Sequence, residues 1–444
     1  MIASDRSLEL RGQLRERLTT ARARTDALFE LVRPEALYER PIPERHRIAF
    51  YIGHLEAFDA NLLLDSCLGR EPLRPDFERL FAFGIDPIDG RLPDDEPADW
   101  PPVEEIRAYN QQARRTLDTA LATIDYDQPP SPFLEQGWAV TIAVEHRLMH
   151  AETLAYMLHR LPYDSKRRGP APGPPGVAPK PRLVEIPAGR ATLGLERARQ
   201  PTLGWDNEYE AHELEVPAFA IEAHDVTNGD WLRFMEAGGY QERSFWDAPA
   251  WAWLAASGVR HPGFWVERPG GWWCRGMFGE TPLDPSTPVW VSHSEASAYA
   301  RWRGRQLPSE AEFHRAAYGR PDGGERAFPW GEAGPGPRHG AFGFSSWDPS
   351  PIGTHPAGDS GFGVSDLVGN GWEWTRTVFA PFDGFEPLPF YRGYSADFFD
   401  GLHYVMKGGS PRTDASLLRR SFRNWFQPHY PHVYATFRCV VPRG

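Results

Sequence analysis

Residues 145–156 read EHRLMHAETLAY and carry two histidines, His146 and His150, in a segment with helical periodicity. Residues four apart lie on the same face of an α-helix, so the two imidazoles point the same way. Such a pair can bind one metal ion. The chain has 15 histidines, however, so the pair could also be two hydrogen-bonded side chains that share a face by chance. The rest of the sequence has to decide between these interpretations.

A third histidine, His54, lies on the apolar stripe of another predicted helix. A buried imidazole needs partners for both ring nitrogens, and a metal ion can supply one of them. We therefore predict that His54, His146 and His150 bind one metal ion inside a helical bundle. Zinc and iron both fit three histidines. Glu56 or Glu152 is expected to accept a hydrogen bond from the second nitrogen of a ligand.

The hydrophobic pattern divides the chain into two domains. Residues 1–162 contain four helix-like segments and one long loop rich in Pro, Gly and Asp, which predicts an all-α four-helix bundle. Residues 163–182 are Pro-rich and predict a linker. Residues 183–444 have short strand-like pieces, many turns and few helices, which predicts an irregular α+β domain. The predicted helices are 7–30, 44–68, 102–125 and 133–160, then 227–237, 293–303 and 309–318.

The composition is that of an acidic globular protein, with 444 residues and a formal net charge of −12 at pH 7. This charge has the wrong sign for binding nucleic acid or an anionic membrane surface. No apolar run is long enough to span a membrane, and the charged N-terminus lacks a signal-peptide core, so we predict a cytoplasmic protein. Its three cysteines are too scattered for a disulfide framework or a cysteine-type zinc site.

Several motifs resemble known families. YIGHLEAFD around His54, together with HRLMHAE, resembles the metal-binding bundle of DinB proteins. The motifs VTNGDWLRF, RQLPSEAEFHRAA, DLVGNGWEWT and VMKGGSPRT resemble the formylglycine-generating-enzyme fold, which is related to C-type lectins. The combination resembles the non-haem iron sulfoxide synthases that make ergothioneine and ovothiol, and the related selenoneine synthases.

The resemblance implies a specific active site. The three histidines would bind Fe(II), and the substrates would be hercynine, a sulfur or selenium donor, and O2. Tyr391 would donate a proton and an electron, with Tyr394 nearby. Asn424 and Trp425 would line the hercynine pocket, since an aromatic face suits a quaternary ammonium group. Met149 would also contact the substrate. Without the resemblance, core packing is the favoured interpretation of the two tyrosines, and for Trp425 it is as good an interpretation as substrate binding.

Two departures from the family concern the donor. Family members that use γ-glutamylcysteine have arginines where residues 84–90 here read GIDPIDG, and charged residues where this chain has Phe426 and Gln427. A multiply anionic donor would leave carboxylates unpaired in such a site. The remaining donors are a selenosugar and cysteine, and Phe426 and Gln427 would contact the selenosugar. Because no carboxylate clamp is evident, the main prediction is a selenoneine synthase, and the alternative is an ergothioneine- or ovothiol-type synthase that uses cysteine.

Two other functions remain open from the sequence. Bundles with three histidines also occur in DinB-type thiol transferases, which do no oxidative chemistry. A Trp-rich lectin-like domain could instead bind a sugar or peptide without catalysis. Formylglycine generation itself is disfavoured, because that reaction needs a pair of reactive cysteines near the C-terminal end and only Cys439 lies there.

Overall fold

The computed structural model describes residues 4–82, 93–170, 173–197 and 204–442. The chain divides into two compact units, Met1–Gly169 and Pro170–Gly444, and the division falls inside the predicted linker. The acidic part of the loop compared with the family, residues 84–90, lies outside the described residues.

The N-terminal unit is built from helices. Four long helices lie where the periodicity predicts them, and one short helix, which starts at a proline, was not predicted. α1 runs along α5, and α2 runs along α4. The α-helices among the described residues are α1 (Asp5–Glu30), α2 (Ile48–Asp59), α3 (Pro75–Leu80), α4 (Val103–Leu121) and α5 (Trp138–Arg160).

The start of α5 shows how closely the bundle packs. Gly137 precedes the helix with a φ of 76°, a left-handed conformation that favours glycine. A Cβ at this position would lie 2.3 Å from Leu14 of α1. Glycine therefore permits both the turn into α5 and the contact with α1. The helix beyond it is almost entirely buried, which explains why its sequence is apolar on several faces.

The C-terminal unit mixes short helices and strands, as predicted. Three of its helices start at capping boxes, in which Thr227, Ser292 or Ser309 bonds the backbone three residues on. The helix that the sequence did not reveal, APAWAWLAAS, has no polar face to give a period, but Asp247 caps it. The α-helices of this unit are α6 (Asn228–Glu236), α7 (Ala248–Ser257), α8 (His293–Trp302), α9 (Glu310–Tyr318) and α10 (Gly393–Ala396).

The strands of this unit are short and form several small sheets. The sheet that matters for the candidate site has the order β10-β9-β8-β11, and β10 carries Asn424 and Trp425. Another sheet, β1-β4-β12, packs with α9 in a hydrophobic core. The strands are β1 (Leu183–Ile186), β2 (Gly189–Leu193), β3 (His212–Val216), β4 (Phe219–Glu222), β5 (Trp265–Arg268), β6 (Gly271–Arg275), β7 (Glu280–Pro282), β8 (Gly371–Val378), β9 (Tyr404–Gly409), β10 (Asn424–Phe426), β11 (Ala435–Thr436) and β12 (Val440–Pro442).

Hydropathy gives no membrane-spanning candidate: within the described ranges, every helix is too short or too polar to cross a bilayer.

Candidate metal centre

The three predicted histidines meet inside the helical unit. His54 of α2 and His146 and His150 of α5 are all buried, and their Nε2 atoms converge. The Nε2 atom of His150 lies 3.2 Å from that of His54 and 3.1 Å from that of His146. His54 and His150 are 96 positions apart in the sequence, so they meet only because α2 packs against α5. We call these three side chains the histidine cluster.

His54 is oriented by the backbone that follows α3. Its Nδ1 atom lies 2.6 Å from the carbonyl oxygen of Phe81, which can only accept a hydrogen bond. Nδ1 therefore carries the proton, and the lone pair of Nε2 points at the other two imidazoles. Phe81 comes this close because residue 53 is glycine, where a Cβ would lie 2.5 Å from the Phe81 ring.

Two phenylalanines of α2 hold the imidazole planes. Phe58 stacks on His146 with ring centroids 3.6 Å apart and an angle of 11° between the planes. Phe50 stacks on His54 at 4.8 Å and 20°. These faces leave the ring edges, and hence the nitrogens, directed at one another. The arrangement fixes the ligand geometry before any ion binds.

The three imidazoles are neutral near pH 7. Burial lowers the pKa of His54 to about 4, and it lowers the pKa of His146 and of His150 well below the usual value. A neutral imidazole keeps the lone pair that a metal ion needs. The cluster is therefore ready to bind a metal without first losing protons.

The spacing of the nitrogens fits a shared ion. Nitrogen ligands ~2.1 Å from an ion are about 3.0 Å apart in an octahedral site and about 3.4 Å apart in a tetrahedral one. The two distances at His150 fall in this range. Hydrogen bonding alone does not account for them, because a single proton on Nε2 of His150 can satisfy only one of its two contacts. The cluster matches a three-histidine metal site with open positions for other ligands.

A second buried polar group, here called the charged cluster, lies beside the histidines. Arg147 bonds Glu56 at 3.0 Å and Asp59 at 2.6 Å, and Arg114 bonds the same oxygen of Glu56 at 2.6 Å. Arg114 also binds Asp26 of α1, so the cluster links all four long helices. Arg147 directly follows His146, and Glu56 lies two residues after His54, but the predicted bond between Glu56 and a histidine of the cluster is not formed. The carbonyl of Phe81 takes that place for His54.

The predicted substrate residues of the C-terminal unit form an aromatic cluster. Trp425 stacks on Phe379 with centroids 4.2 Å apart and presents an edge to Tyr394 at 5.5 Å. Tyr391 lies 5.6 Å from Tyr394. Part of the Trp425 surface is thus used for packing, which agrees in part with the interpretation of Trp425 as a packing aromatic. The structure does bring both predicted tyrosines and Trp425 into one group of rings.

The other predicted substrate residues differ in their exposure and in the contacts that they make. Oδ1 of Asn424 accepts the backbone N–H of Trp425 at 2.9 Å, so Nδ2 is the atom that can donate to a ligand. Phe426 stacks on Tyr430 at 5.1 Å, and the side chain of Gln427 is exposed. Met149, half-buried on α5, precedes the ligand His150 and belongs to the helical unit.

Arg423 is not available to a substrate carboxylate. It is buried and makes two hydrogen bonds to Glu310, at 3.1 and 3.2 Å. It also donates to the backbone oxygens of Asn207 and Ala380. Arg423 therefore stabilises the strand that carries Asn424 instead of clamping a ligand.

Comparison with known proteins assigns both units. Residues 170–443 match the sulfatase-modifying factor enzyme 1-like domain, and residues 17–154 match the DinB superfamily. The hercynine oxygenase of Mycolicibacterium thermoresistibile is 34% identical over 97% of this chain and 95% of its own length.

The chain belongs to the family of these hercynine oxygenases.

The family assignment makes the chain an enzyme and confirms the predicted fold class. Ergothioneine biosynthesis protein 1 of Neurospora crassa is 27% identical over 93% of this chain and 55% of its own length. A formylglycine-generating enzyme of Mycobacterium tuberculosis is 32% identical but covers only 58% of this chain. Since the oxygenase matches both units, the lectin-like binding module without catalysis is excluded.

The cysteines do not support formylglycine chemistry. Cys439 is buried, and burial raises the pKa of its thiol well above the usual value. Burial also raises the pKa of Cys274 to about 12. Thiolate is the reactive form of cysteine, so neither side chain is activated at neutral pH. The argument from the sequence against this activity agrees with the structure.

Proposed function

We propose that the protein joins a sulfur atom to the imidazole ring of hercynine at the expense of O2. The observation that carries the proposal is the histidine cluster, three neutral imidazoles whose Nε2 atoms converge. It is supported by the similarity to a hercynine oxygenase along nearly the whole chain. Fe(II), held by these three nitrogens, would supply the activation of O2.

The reaction balances as a four-electron oxidation. The hercynine C–H and the donor S–H each give up a hydrogen as the carbon–sulfur bond forms. One oxygen atom of O2 leaves as water with these two hydrogens, and the other is bonded to sulfur as a sulfoxide. A zinc-dependent thiol transferase consumes no O2, so oxygen uptake separates these two reactions.

Each predicted residue has a task that its chemistry suits. Tyr391 would donate a proton and an electron through its hydroxyl group. The aromatic surface of Trp425 and Tyr394 would bind the trimethylammonium group of hercynine. Nδ2 of Asn424 would donate to the hercynine carboxylate. Met149, next to His150, would line the substrate side of the metal ion.

Cysteine is the donor that we propose first. Relatives named for hercynine oxidation and for ergothioneine biosynthesis favour sulfur, and so support the alternative prediction over the selenoneine synthase. A γ-glutamylcysteine donor would require further cations to pair with its carboxylates. Arg423, the cation next to Asn424, is already paired with Glu310.

A selenosugar is a second candidate donor. Phe426 and Tyr430 stack at 5.1 Å and are half-buried, a surface that suits an uncharged sugar ring better than a zwitterion. The exposed amide of Gln427 adds a group that can bond sugar hydroxyls. The choice between the two donors depends on direct measurement.

A donor competition tests the proposal. The purified protein is loaded anaerobically with Fe(II) and given hercynine and O2 with equal amounts of cysteine, γ-glutamylcysteine and a 1-selenosugar. We expect the cysteine adduct to dominate by mass spectrometry, with loss of one ring C–H signal. A dominant selenium adduct would assign the second candidate. Absence of any ring adduct, with the metal bound, would refute the function.

Tyr391→Phe tests the role of the tyrosine in the same assay. The variant should keep its metal and bind hercynine, yet form the carbon–sulfur bond at least ~10-fold more slowly, because the proton donor is lost. Oxidised thiol should accumulate instead. Tyr430→Phe is the matched control and should retain bond formation with cysteine. Equal rates in Tyr391→Phe and wild type would remove Tyr391 from the mechanism.

A further inference from the structure

The segment that carries the two tyrosines has little regular structure of its own. Residues 388–398 contain only one short helix, α10, and the side chains of Tyr391 and Tyr394 are half-buried. A catalytic side chain on such a segment needs support from elsewhere in the fold to keep a fixed position. That support comes from a stretch nearly 190 residues earlier in the chain.

Ser395, the buried residue of α10, is bound to two consecutive side chains of the loop before β3. Its hydroxyl donates to Oδ1 of Asp206 at 2.5 Å and accepts from Nδ2 of Asn207 at 2.9 Å. Asp206 and Asn207 therefore both bind the tyrosine segment at the residue that follows Tyr394.

The same loop covers one face of Tyr394. Trp205, the residue before Asp206, is buried and stacks on Tyr394 with centroids 4.0 Å apart and an angle of 28°. The hydrogen bonds and the stacked ring thus act on the same short segment. Neither contact involves the metal ligands, which belong to the other unit.

The bonding of Asp206 differs from that of its neighbour Glu208. Glu208 is also buried but pairs with Arg419 and Ser421. Asp206 has no cationic partner among the described residues, and burial raises the pKa of its carboxyl group to about 6, with the charge of Glu208 acting in the same direction. A buried carboxyl without a counter-ion lowers stability. Within the described ranges, the hydrogen bond that its side chain makes outside its own loop goes to Ser395 of the tyrosine segment.

We propose that Asp206, Asn207 and Ser395 form a latch that positions the tyrosine segment for the oxygen-dependent step. Asp206 and Ser395 are positioning residues, since neither is argued to touch the substrate. The inference rests on the proposed function for its catalytic consequence. The latch keeps the tyrosine hydroxyl in place, and its loss lets oxidised thiol form in place of the carbon–sulfur bond.

The test compares four variants of the full-length, metal-loaded protein. Asp206→Ala and Ser395→Ala break the latch, whereas Asp206→Asn keeps an acceptor oxygen for the Ser395 hydroxyl. Asp397→Ala removes an exposed carboxylate from the same segment and is the matched control. Thermal melts identify any variant that fails to fold. Should Asp206→Ala fail, Ser395→Ala still tests the latch.

The first measurement is amide hydrogen exchange of residues 388–398, which does not depend on turnover. We expect exchange to rise at least ~10-fold in Asp206→Ala, which loses the bond to Ser395, and in Ser395→Ala, which loses the bonds to both Asp206 and Asn207. It should change less than ~3-fold in Asp206→Asn and Asp397→Ala. Unchanged exchange in both broken variants would overturn the latch.

The second measurement is the division of consumed O2 between ring adduct and oxidised thiol. The broken variants should lose at least ~10-fold of the ring adduct while metal content stays within ~2-fold, and Asp206→Asn should restore the adduct. Faster exchange with an unchanged product ratio would overturn the positioning role. A wild-type protein with no hercynine turnover would instead refute the proposed function, and hydrogen exchange would then still decide whether the latch exists.

Discussion

The helical unit contains two buried polar clusters that lie side by side on α2 and α5, one charged and one of histidines. In the charged cluster, Glu56 and Asp59 are each paired with an arginine. Although burial alone would raise the pKa of Glu56, Arg147 and Arg114 hold it below the usual value. In the histidine cluster, three neutral groups point lone-pair atoms at a common centre.

The difference between the clusters teaches how to recognise a ligand site in a buried interior. Polar groups that find partners within the protein need nothing else, and they fix how the helices pair. Where buried polar groups converge and there are too few protons to make every contact a hydrogen bond, the groups need a ligand from outside the protein. We therefore expect the charged cluster to stabilise the fold and the histidine cluster to bind the proposed metal ion.

The largest expected effect is the loss of metal binding in His150→Ala. Nε2 of His150 makes both short contacts between the imidazoles, so its removal takes away both contacts and should abolish stoichiometric metal binding and turnover. Metal analysis and isothermal titration measure this. His159→Asn, at a buried histidine of α5 outside the cluster, is the control and should keep its metal. Full metal content in His150→Ala would break the distinction between the clusters.

Arg147→Met should cause the next largest effect, on folding. It leaves Glu56 and Asp59 buried without their central counter-ion, which should lower the free energy of unfolding by about 3–5 kcal/mol. Urea denaturation of the metal-free protein, followed by the helical circular dichroism signal, measures it. The triple variant Arg147→Met/Glu56→Leu/Asp59→Leu should recover much of the loss, because no buried charge is then left unpaired. No recovery would show that the ions stabilise the bundle beyond mutual compensation.

A third prediction concerns pH and the metal-free protein. The pKa of His54 falls from 6.5 in the unfolded chain to about 4 in the folded one, so the unfolded state binds more protons between these values. The contribution of neutral His54 to the free energy of unfolding is fully present above pH 6.5. It is lost as the pH falls towards 4, and the loss reaches about 3 kcal/mol. Urea denaturation at several pH values measures it, and His54→Gln should show a correspondingly shallower dependence. Identical slopes would mean that His54 is not buried as a neutral group.

The smallest effect is expected for Phe58→Leu. The leucine keeps the site apolar but removes the ring that stacks on His146 at 3.6 Å, so the imidazole can rotate away from the shared centre. Metal affinity should fall about 10-fold, the lower end for residues that orient a ligand. Competition with a chelator of known affinity gives the number. Phe77→Leu, at a buried phenylalanine of α3, controls for the loss of a ring, and equal losses in both would assign the effect to packing alone.

Much of the helical unit could be read from the sequence. The long helices follow from apolar spacing, and the placement of His54 on an apolar stripe pointed to a buried ligand. Phe81 as the partner of His54 could not be foreseen, because a backbone carbonyl leaves no mark in the sequence. The burial of Arg147 could not be predicted either, because an arginine in a helix usually faces solvent. Only its bonds to Glu56 and Asp59 explain its burial.

Less of the C-terminal unit could be predicted from the sequence. Three of its helices were predicted, and the structure starts each of them at a capping box, whereas α7 lacks a polar face and was not predicted. The motifs identified the residues around Trp425, but its stacking on Phe379 depends on strand pairing between distant segments. The bond between Asp206 and Ser395 joins positions 189 apart, and no local pattern predicts such a pair.

The sequence by itself determined which elements form and which side chains are available, since helical periodicity, capping and residue type are local properties. It also determined the family, through motifs that survive in order along the chain. Only the tertiary structure decided which of these side chains meet. The packing of α2 on α5 placed the three imidazoles close enough to share one ligand, and it paired the neighbouring carboxylates with arginines. These contacts depend on tertiary structure, because the partners of buried polar groups come from segments that are distant in the sequence.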